Sequence, residues 1–98
     1  MANEVNNNEL EELREEINAI DNELATLLKK RFSVCKKIKL VKEKNNLPIT
    51  DLAREGAVYE RIEGFFNLNY EKVAAKNIYE SIIKNCKFIQ TIKEEENE

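Results

Sequence analysis

The first half of the chain carries apolar residues at alternating steps of three and four positions. This spacing places them along one seam of a single α-helix, as in a coiled coil. The pattern ends at Asn45 and Asn46, just before Pro48, which is typical of the end of a helix. The ten seam positions are occupied by Leu10, Leu13, Ile17, Ile20, Leu24, Leu27, Arg31, Val34, Ile38 and Val41.

A helix of this length needs a second chain to cover its seam. About 36 residues rising 1.5 Å each give a helix of about 54 Å. A compact domain of this size has a radius of gyration near 13 Å. The seam therefore predicts a homodimer in which the long helices of two chains pack together.

Two shorter amphipathic patterns follow, and no strand pattern is present. The second helix is predicted to begin at Thr50 and Asp51, either of which can cap it, and the third at Asn69, running to about Lys93. The predicted fold class is all-α, with three helices per chain, one long and two shorter, in an intertwined helical homodimer. The apolar faces of the two shorter helices are formed by Leu52, Val58, Tyr59, Ile62, Phe65 and Phe66, and by Ala75, Ile78, Tyr79, Ile82, Cys86 and Ile89.

Length and charge restrict the class of protein. The 98 residues suit one domain, predicted at residues 9–93 between flexible tails at 1–8 and 94–98. The net charge of −3 argues against a nucleic-acid partner. No apolar run has the length of a membrane span and no signal peptide opens the chain, so we expect a cytoplasmic protein without a membrane partner.

The two cysteines, Cys35 and Cys86, lack the spacing of a metal site, and the chain has no histidine. We expect both to be free thiols that behave as small buried apolar residues in a reducing cytosol. Neither has a histidine to activate it, and no glycine-rich phosphate loop is present. The sequence therefore predicts no metal and no cofactor.

Three polar residues, one per helix, stand where the apolar pattern calls for a hydrophobic side chain: Arg31, Glu55 and Gln90. Each has a structural explanation. Arg31 could be a polar residue that fixes the register of a coiled coil. Glu55 could be its ion-pair partner. Gln90 could be a partly exposed residue near the end of its helix. Their occurrence together instead favours one shared polar pocket.

Further basic residues indicate that this pocket binds an anion. Lys42 lies eleven residues after Arg31 on nearly the same helix face, and Arg54 precedes Glu55. Their charge exceeds that of Glu55, and an unpaired buried cation is very costly. Arg14 lies about 25 Å along the helix from Arg31, so it can reach only the partner's pocket, unless it is a solvated side chain.

These residues resemble the all-helical class of chorismate mutase over about residues 9–92. The resemblance rests on Arg14, Ile17-x-x-Ile20-Asp21, Arg31, Lys42, Pro48, Asp51-x-x-Arg54-Glu55, and the stretch from Cys86 to Gln90. It implies a homodimer that converts chorismate to prephenate in the shikimate pathway of aromatic amino acid biosynthesis, towards phenylalanine and tyrosine.

The resemblance also implies a role for each site residue. Arg31 and the partner subunit's Arg14 would bind the two carboxylates of chorismate, while Lys42 and Gln90 would donate to its ether oxygen. Glu55, with the backbone of Asp51, would hold the ring hydroxyl, and Arg54 would support the positive field. Some members carry a serine at the position of Cys86 that touches a carboxylate, and a thiol would donate there more weakly.

Two other functions remain open from the sequence. An isochorismate pyruvate lyase shares this fold and most of this site. A non-catalytic coiled-coil dimer would show no turnover and would gain stability if Arg31 became leucine.

Overall fold

The computed structural model of the chain describes residues 2–93, with side chains described from residue 7 onward. It contains three α-helices in this range and no strand: α1 (Ala2–Lys44), α2 (Leu52–Glu63) and α3 (Asn69–Gln90). The predicted all-α class, with one long helix and two shorter ones, is confirmed.

The chain divides into two units, Met1–Ser33 and Val34–Glu98. In the first unit, the described residues are the N-terminal part of α1, and six seam residues from Leu10 to Leu27 are between 45% and 59% exposed. The chain alone therefore leaves the apolar seam of this unit open to water.

The second unit begins within α1, which ends in a left-handed turn. Asn46 has a φ of 57°, and the Leu47 amide donates to the Lys42 carbonyl at 2.8 Å. The Asn46 amide donates to the Glu43 carbonyl at 3.3 Å. This pair of bonds is the Schellman pattern, in which asparagine tolerates the left-handed backbone. The predicted end of the helix at Asn45 and Asn46 is thereby explained.

The ends of the shorter helices agree only in part with the sequence patterns. Asp51 caps α2, because its side chain accepts from the Arg54 amide at 3.0 Å. The expected cap of α3 at Asn69 is wrong: extended Leu68 takes that position without a side-chain bond, and Asn69 is the first helical residue. The helix also ends at Gln90 and not near Lys93, since Thr91 is its C-cap.

A small apolar core joins α2 to α3. Val58 and Ile62 of α2 pack with Ala75 and Ile83 of α3, and Tyr59, Phe66 and Tyr79 pack against them. The observed buried faces of α2 and α3 are rotated slightly about the helix axes from the predicted ones, since Leu52, Phe65 and Ile78 are exposed and Ile83 is buried. The buried residues of α3 are Ala75, Ile83 and Gln90, spaced by about two turns each, and this register decides which polar residues face inward.

The expectation of two free thiols is wrong. Cys35 of α1 and Cys86 of α3 form a disulfide, with their α-carbons 5.9 Å apart. The two helices bring these cysteines together although 51 positions separate them in the sequence. A disulfide forms and persists most readily in an oxidising environment. The cysteines therefore give no support to the expectation that the protein resides in a reducing compartment.

The predicted domain boundaries remain a prediction. The expected flexible segment at residues 1–8 is helical from Ala2 onward, and residues 94–98 lie outside the described range. Within that range, no helix has the length and apolar character needed to cross a membrane.

We expect the Cys35–Cys86 disulfide to stabilise the fold by about 2–4 kcal/mol, because it closes a long loop in the unfolded chain. The double variant Cys35→Ala with Cys86→Ala should unfold at a lower denaturant concentration than the oxidised parent. Denaturant titration with and without reductant measures this. A thiol assay on the unfolded, unreduced parent that found two free thiols per chain would contradict the disulfide itself.

Candidate active site

Six of the eight candidate site residues lie in the second unit. They come from the last turn of α1, the first turn of α2 and the last two turns of α3. Arg14 and Arg31 belong to the first unit. The six residues of the second unit are Lys42, Asp51, Arg54, Glu55, Cys86 and Gln90.

Lys42 is fixed by the connection between α1 and α2. Its Nζ donates to the Ile49 carbonyl at 2.6 Å, and the side chain is half-buried. A neutral carbonyl oxygen orients the ammonium group without cancelling its charge. Lys42 therefore stays available as a cation for an anionic ligand.

Glu55 lies in the first turn of α2 and faces α3. Its Oε2 accepts from the Nζ of Lys87 at 2.9 Å, in a pair whose side chains are 17% and 33% exposed. This carboxylate therefore has a partner on α3, while its pairing with Arg31 stays a prediction. The sequence analysis missed Lys87, although it lies four residues after buried Ile83 and three before Gln90.

Gln90 is the last residue of α3 and is 6% exposed. Its Nε2 donates to the Sγ of Cys86 at 3.6 Å, and its buried Oε1 has no hydrogen-bond partner among the described residues. Sulfur is a weak acceptor, and an unpaired buried carbonyl costs free energy. The amide is therefore held in place by packing, and a ligand can recruit it at little cost in lost hydrogen bonding.

Cys86 cannot act as the weak hydrogen-bond donor that the resemblance implied at its position. As half of a disulfide, it carries no S–H proton. This corrects its assignment as a donor to a substrate carboxylate. Its sulfur instead supports the side chain of Gln90, one helical turn further along α3.

Lys39 is a second residue that the sequence analysis missed. It is buried on α1, one turn after Cys35, and its Nζ donates to the backbone carbonyl of Ile92, two residues beyond Gln90. Its spacing could have indicated this, since a residue four positions after Cys35 and eight after Arg31 lies on the same face of the helix. Its carbonyl partner, like that of Lys42, leaves the positive charge uncancelled.

Asp51 and Arg54 are exposed at the start of α2. The Asp51 side chain is occupied in capping the helix, where it accepts from the Arg54 amide. The backbone N–H groups of the first turn lie at the positive end of the helix dipole, which favours anionic groups and other hydrogen-bond acceptors there.

The two arginines of the first unit differ in environment. Arg14 is exposed and pairs with Glu11, its Nη1 lying 3.3 Å from Oε2. A surface pair of this kind contributes little stability, so Arg14 can exchange Glu11 for another carboxylate. Arg31 is half-buried within the seam.

A family model described as chorismate mutase type II matches residues 13–91 of the chain. The match covers most of the sequence and includes all eight candidate site residues. The chain therefore belongs to the chorismate mutase type II family, whose named activity is that of an isomerase.

Two relatives are much longer than this chain. The chain is 40% identical to a bifunctional chorismate mutase/prephenate dehydratase of Aquifex aeolicus, over 80% of the chain and 23% of that protein. It is 35% identical to a 3-dehydroquinate dehydratase of Pyrobaculum aerophilum, over 82% of the chain and 23% of the relative. The chain thus spans about a quarter of the length of these two relatives.

A third relative has a similar length. The chain is 30% identical to a chorismate mutase of Methanocaldococcus jannaschii, over 83% of each sequence. No solved structure matches the chain significantly.

Proposed function

We propose that the chain is a chorismate mutase that rearranges chorismate to prephenate. The observation that carries this proposal is the family match over residues 13–91, which includes every candidate site residue. The relative from Methanocaldococcus jannaschii, named a chorismate mutase, supports it over 83% of both sequences. The Aquifex aeolicus relative joins its mutase to a prephenate dehydratase, which agrees with prephenate as the product.

The proposed reaction is a Claisen rearrangement within one molecule. The ether C–O bond breaks while a new C–C bond forms, so all atoms of the substrate remain in the product. No proton transfer, covalent enzyme intermediate or cofactor is required. The protein must hold the two ends of the substrate together and stabilise the negative charge that grows on the ether oxygen.

Arg31 and the partner subunit's Arg14 are proposed to bind the two substrate carboxylates. Guanidinium groups suit carboxylates because they can donate two parallel hydrogen bonds. The proposed homodimer is supported by the exposed apolar seam of α1, which a second copy would cover. The weak surface pair of Arg14 with Glu11 leaves that arginine able to serve a neighbouring chain.

Lys42 and Gln90 are proposed to donate hydrogen bonds to the ether oxygen. Lys42 brings a full positive charge to the site, because its partner is a neutral carbonyl. Gln90 brings a neutral amide donor whose present acceptor is sulfur. Donors that strengthen as charge develops lower the barrier, whereas equal binding of the substrate would not.

Glu55 and the backbone of Asp51 are proposed to hold the ring hydroxyl, while Arg54 adds to the positive field. Glu55 is half-buried and lies in the first turn of α2, the helix that Asp51 caps. The place of the reaction in phenylalanine and tyrosine synthesis, and the location of the protein in the cytoplasm, remain predictions.

The purified protein should consume chorismate and release prephenate. An ultraviolet assay of chorismate loss, with the product identified by chromatography, tests this. Parallel incubation with isochorismate separates the two activities of the fold: release of pyruvate and salicylate from isochorismate, without prephenate from chorismate, would mean a lyase. A dimer inactive on both compounds, and stabilised by Arg31→Leu, would mean a structural coiled coil.

Arg14→Ala and Arg31→Ala homodimers should each lose nearly all activity, because every site would lack one carboxylate ligand. Mixing the two variants makes about half of the dimers mixed, each with one intact site, so about a quarter of the parental activity should return. Subunit exchange must be verified by mass, with each variant alone taken through the same cycle as the control. Proven mixed dimers without recovered activity would contradict an intersubunit site.

Gln90→Glu should lose activity near neutral pH and regain it as pH falls. A glutamate has a reference pKa near 4.3, and burial at this position would raise the pKa of the new carboxyl. Above that pKa the carboxylate repels the developing negative charge, while below it the protonated carboxyl donates as the amide does. Profiles of kcat/KM from about pH 5 to 8.5, with folding verified by circular dichroism, measure this. Equal activity of variant and parent at pH 8 would remove Gln90 from the ether oxygen.

A further inference from the structure

The ion pair between Lys87 and Glu55 joins α2 to α3 at the candidate active site. Lys87 follows Cys86 directly and lies one turn before Gln90 on α3, while Glu55 lies in the first turn of α2. The Nζ to Oε2 distance is 2.9 Å, and both side chains are largely removed from water. A charged hydrogen bond in such a position is stronger than an exposed one, so it fixes the carboxylate before any substrate arrives.

The pair occupies only part of the hydrogen-bonding capacity of Glu55. An ionised carboxylate has two oxygens and about four acceptor positions. Lys87 donates to Oε2, which leaves capacity at Oε1 for a second donor. A hydroxyl group arriving between α2 and α3 would meet a carboxylate whose orientation is already set.

Lys87 also changes the charge that a substrate meets. Chorismate carries two carboxylates, and an unneutralised Glu55 would repel them. Lys87 offsets this negative charge, in contrast to Lys39 and Lys42, whose carbonyl partners leave their positive charges in place. The pair therefore supplies an acceptor to the site without adding net negative charge.

We propose that Lys87 is a positioning residue, which orients and neutralises Glu55 so that this carboxylate accepts the ring hydroxyl of the substrate. This inference rests on the proposed chorismate mutase function. Lys87 itself does not touch the substrate, and its effect passes through Glu55.

A double-mutant cycle between Lys87 and Glu55 tests this role. Lys87→Met in the otherwise unchanged protein should lower kcat/KM about tenfold, with most of the loss in KM, because Glu55 becomes mobile and repels the substrate. Lys87→Arg should keep kcat/KM within about threefold of the parent, since it preserves the charge. In the Glu55→Gln background, Lys87→Met should cause less than a twofold further loss, because the carboxylate it serves is gone.

Lys84→Met is the matched control. Lys84 lies one turn earlier on the same helix and is exposed, so its replacement should leave kcat/KM unchanged. Thermal unfolding of every variant separates a loss of fold from a loss of function. If Lys87→Met does not fold, Lys87→Gln, which removes the charge but keeps a polar side chain, takes its place in the cycle.

Three results would overturn the inference. An equal tenfold loss in both backgrounds would mean that Lys87 binds the substrate directly. A lower unfolding temperature with unchanged kcat/KM would mean that the pair only stabilises the fold. Absence of turnover by the parent protein would overturn the proposed function, and the role of Lys87 with it. If the parent turns over chorismate normally, either of the first two results contradicts only the role of Lys87.

Discussion

The end of α3 is held to α1 at two points, and the positions of the candidate catalytic groups in the second unit depend on this attachment. The Cys35–Cys86 disulfide lies one turn before Gln90, and the bond from Lys39 to the Ile92 carbonyl lies two residues after it. Cys35 and Lys39 are themselves one turn apart on α1, and Lys42 lies three residues after Lys39. The residue that would meet the ether oxygen from α3 is thus tied to the helix that carries the other proposed donor.

The hydrogen-bond partners of Lys39, Lys42 and Lys87 differ in charge. Lys39 and Lys42 donate to neutral backbone carbonyls, which satisfy their hydrogen bonds without cancelling their charge. Lys87 alone among these three is paired with a carboxylate, and that carboxylate is the acceptor that the proposed reaction needs. In the proposed reaction, the two lysines on carbonyls would attract the dianionic substrate, and Glu55 would accept from its hydroxyl. This division of roles follows from which partner each lysine contacts, not from the number of charges.

The sequence predicted the elements whose signals are local. The heptad seam and the asparagines before Pro48 predicted α1 and its end, and Asp51 proved to be the cap of α2, one of the two candidates with Thr50. The start of α3 was misassigned because extended Leu68, which has no capping side chain, takes the cap position. The buried register of α3 also differed, since Ile83 and not Ile78 reaches the small core with α2.

The features that sequence could not reveal all depend on contacts between helices. Two cysteines 51 positions apart give no indication that their α-carbons lie 5.9 Å apart. Lys39 and Lys87 were given no role, because a single lysine on a charged helix is usually solvated. Only the packing of α3 against its neighbours turns both of them inward. Glu55 and Gln90 were singled out correctly as inward-facing, since each interrupts an apolar stripe.

The central claim is that groups from the ends of α1 and α3 and the start of α2 surround one dianionic substrate. A crystal structure of the protein with a stable, bicyclic dicarboxylate analogue of the rearrangement's transition state tests this most directly. The account predicts the ether oxygen of the analogue within hydrogen-bond distance of Lys42 Nζ and Gln90 Nε2, and its hydroxyl on Glu55, with Lys87 still paired to that carboxylate. Its carboxylates should lie on Arg31 and the partner subunit's Arg14. An analogue bound away from Lys42 and Gln90, or held by the arginines of one chain alone, would contradict the account.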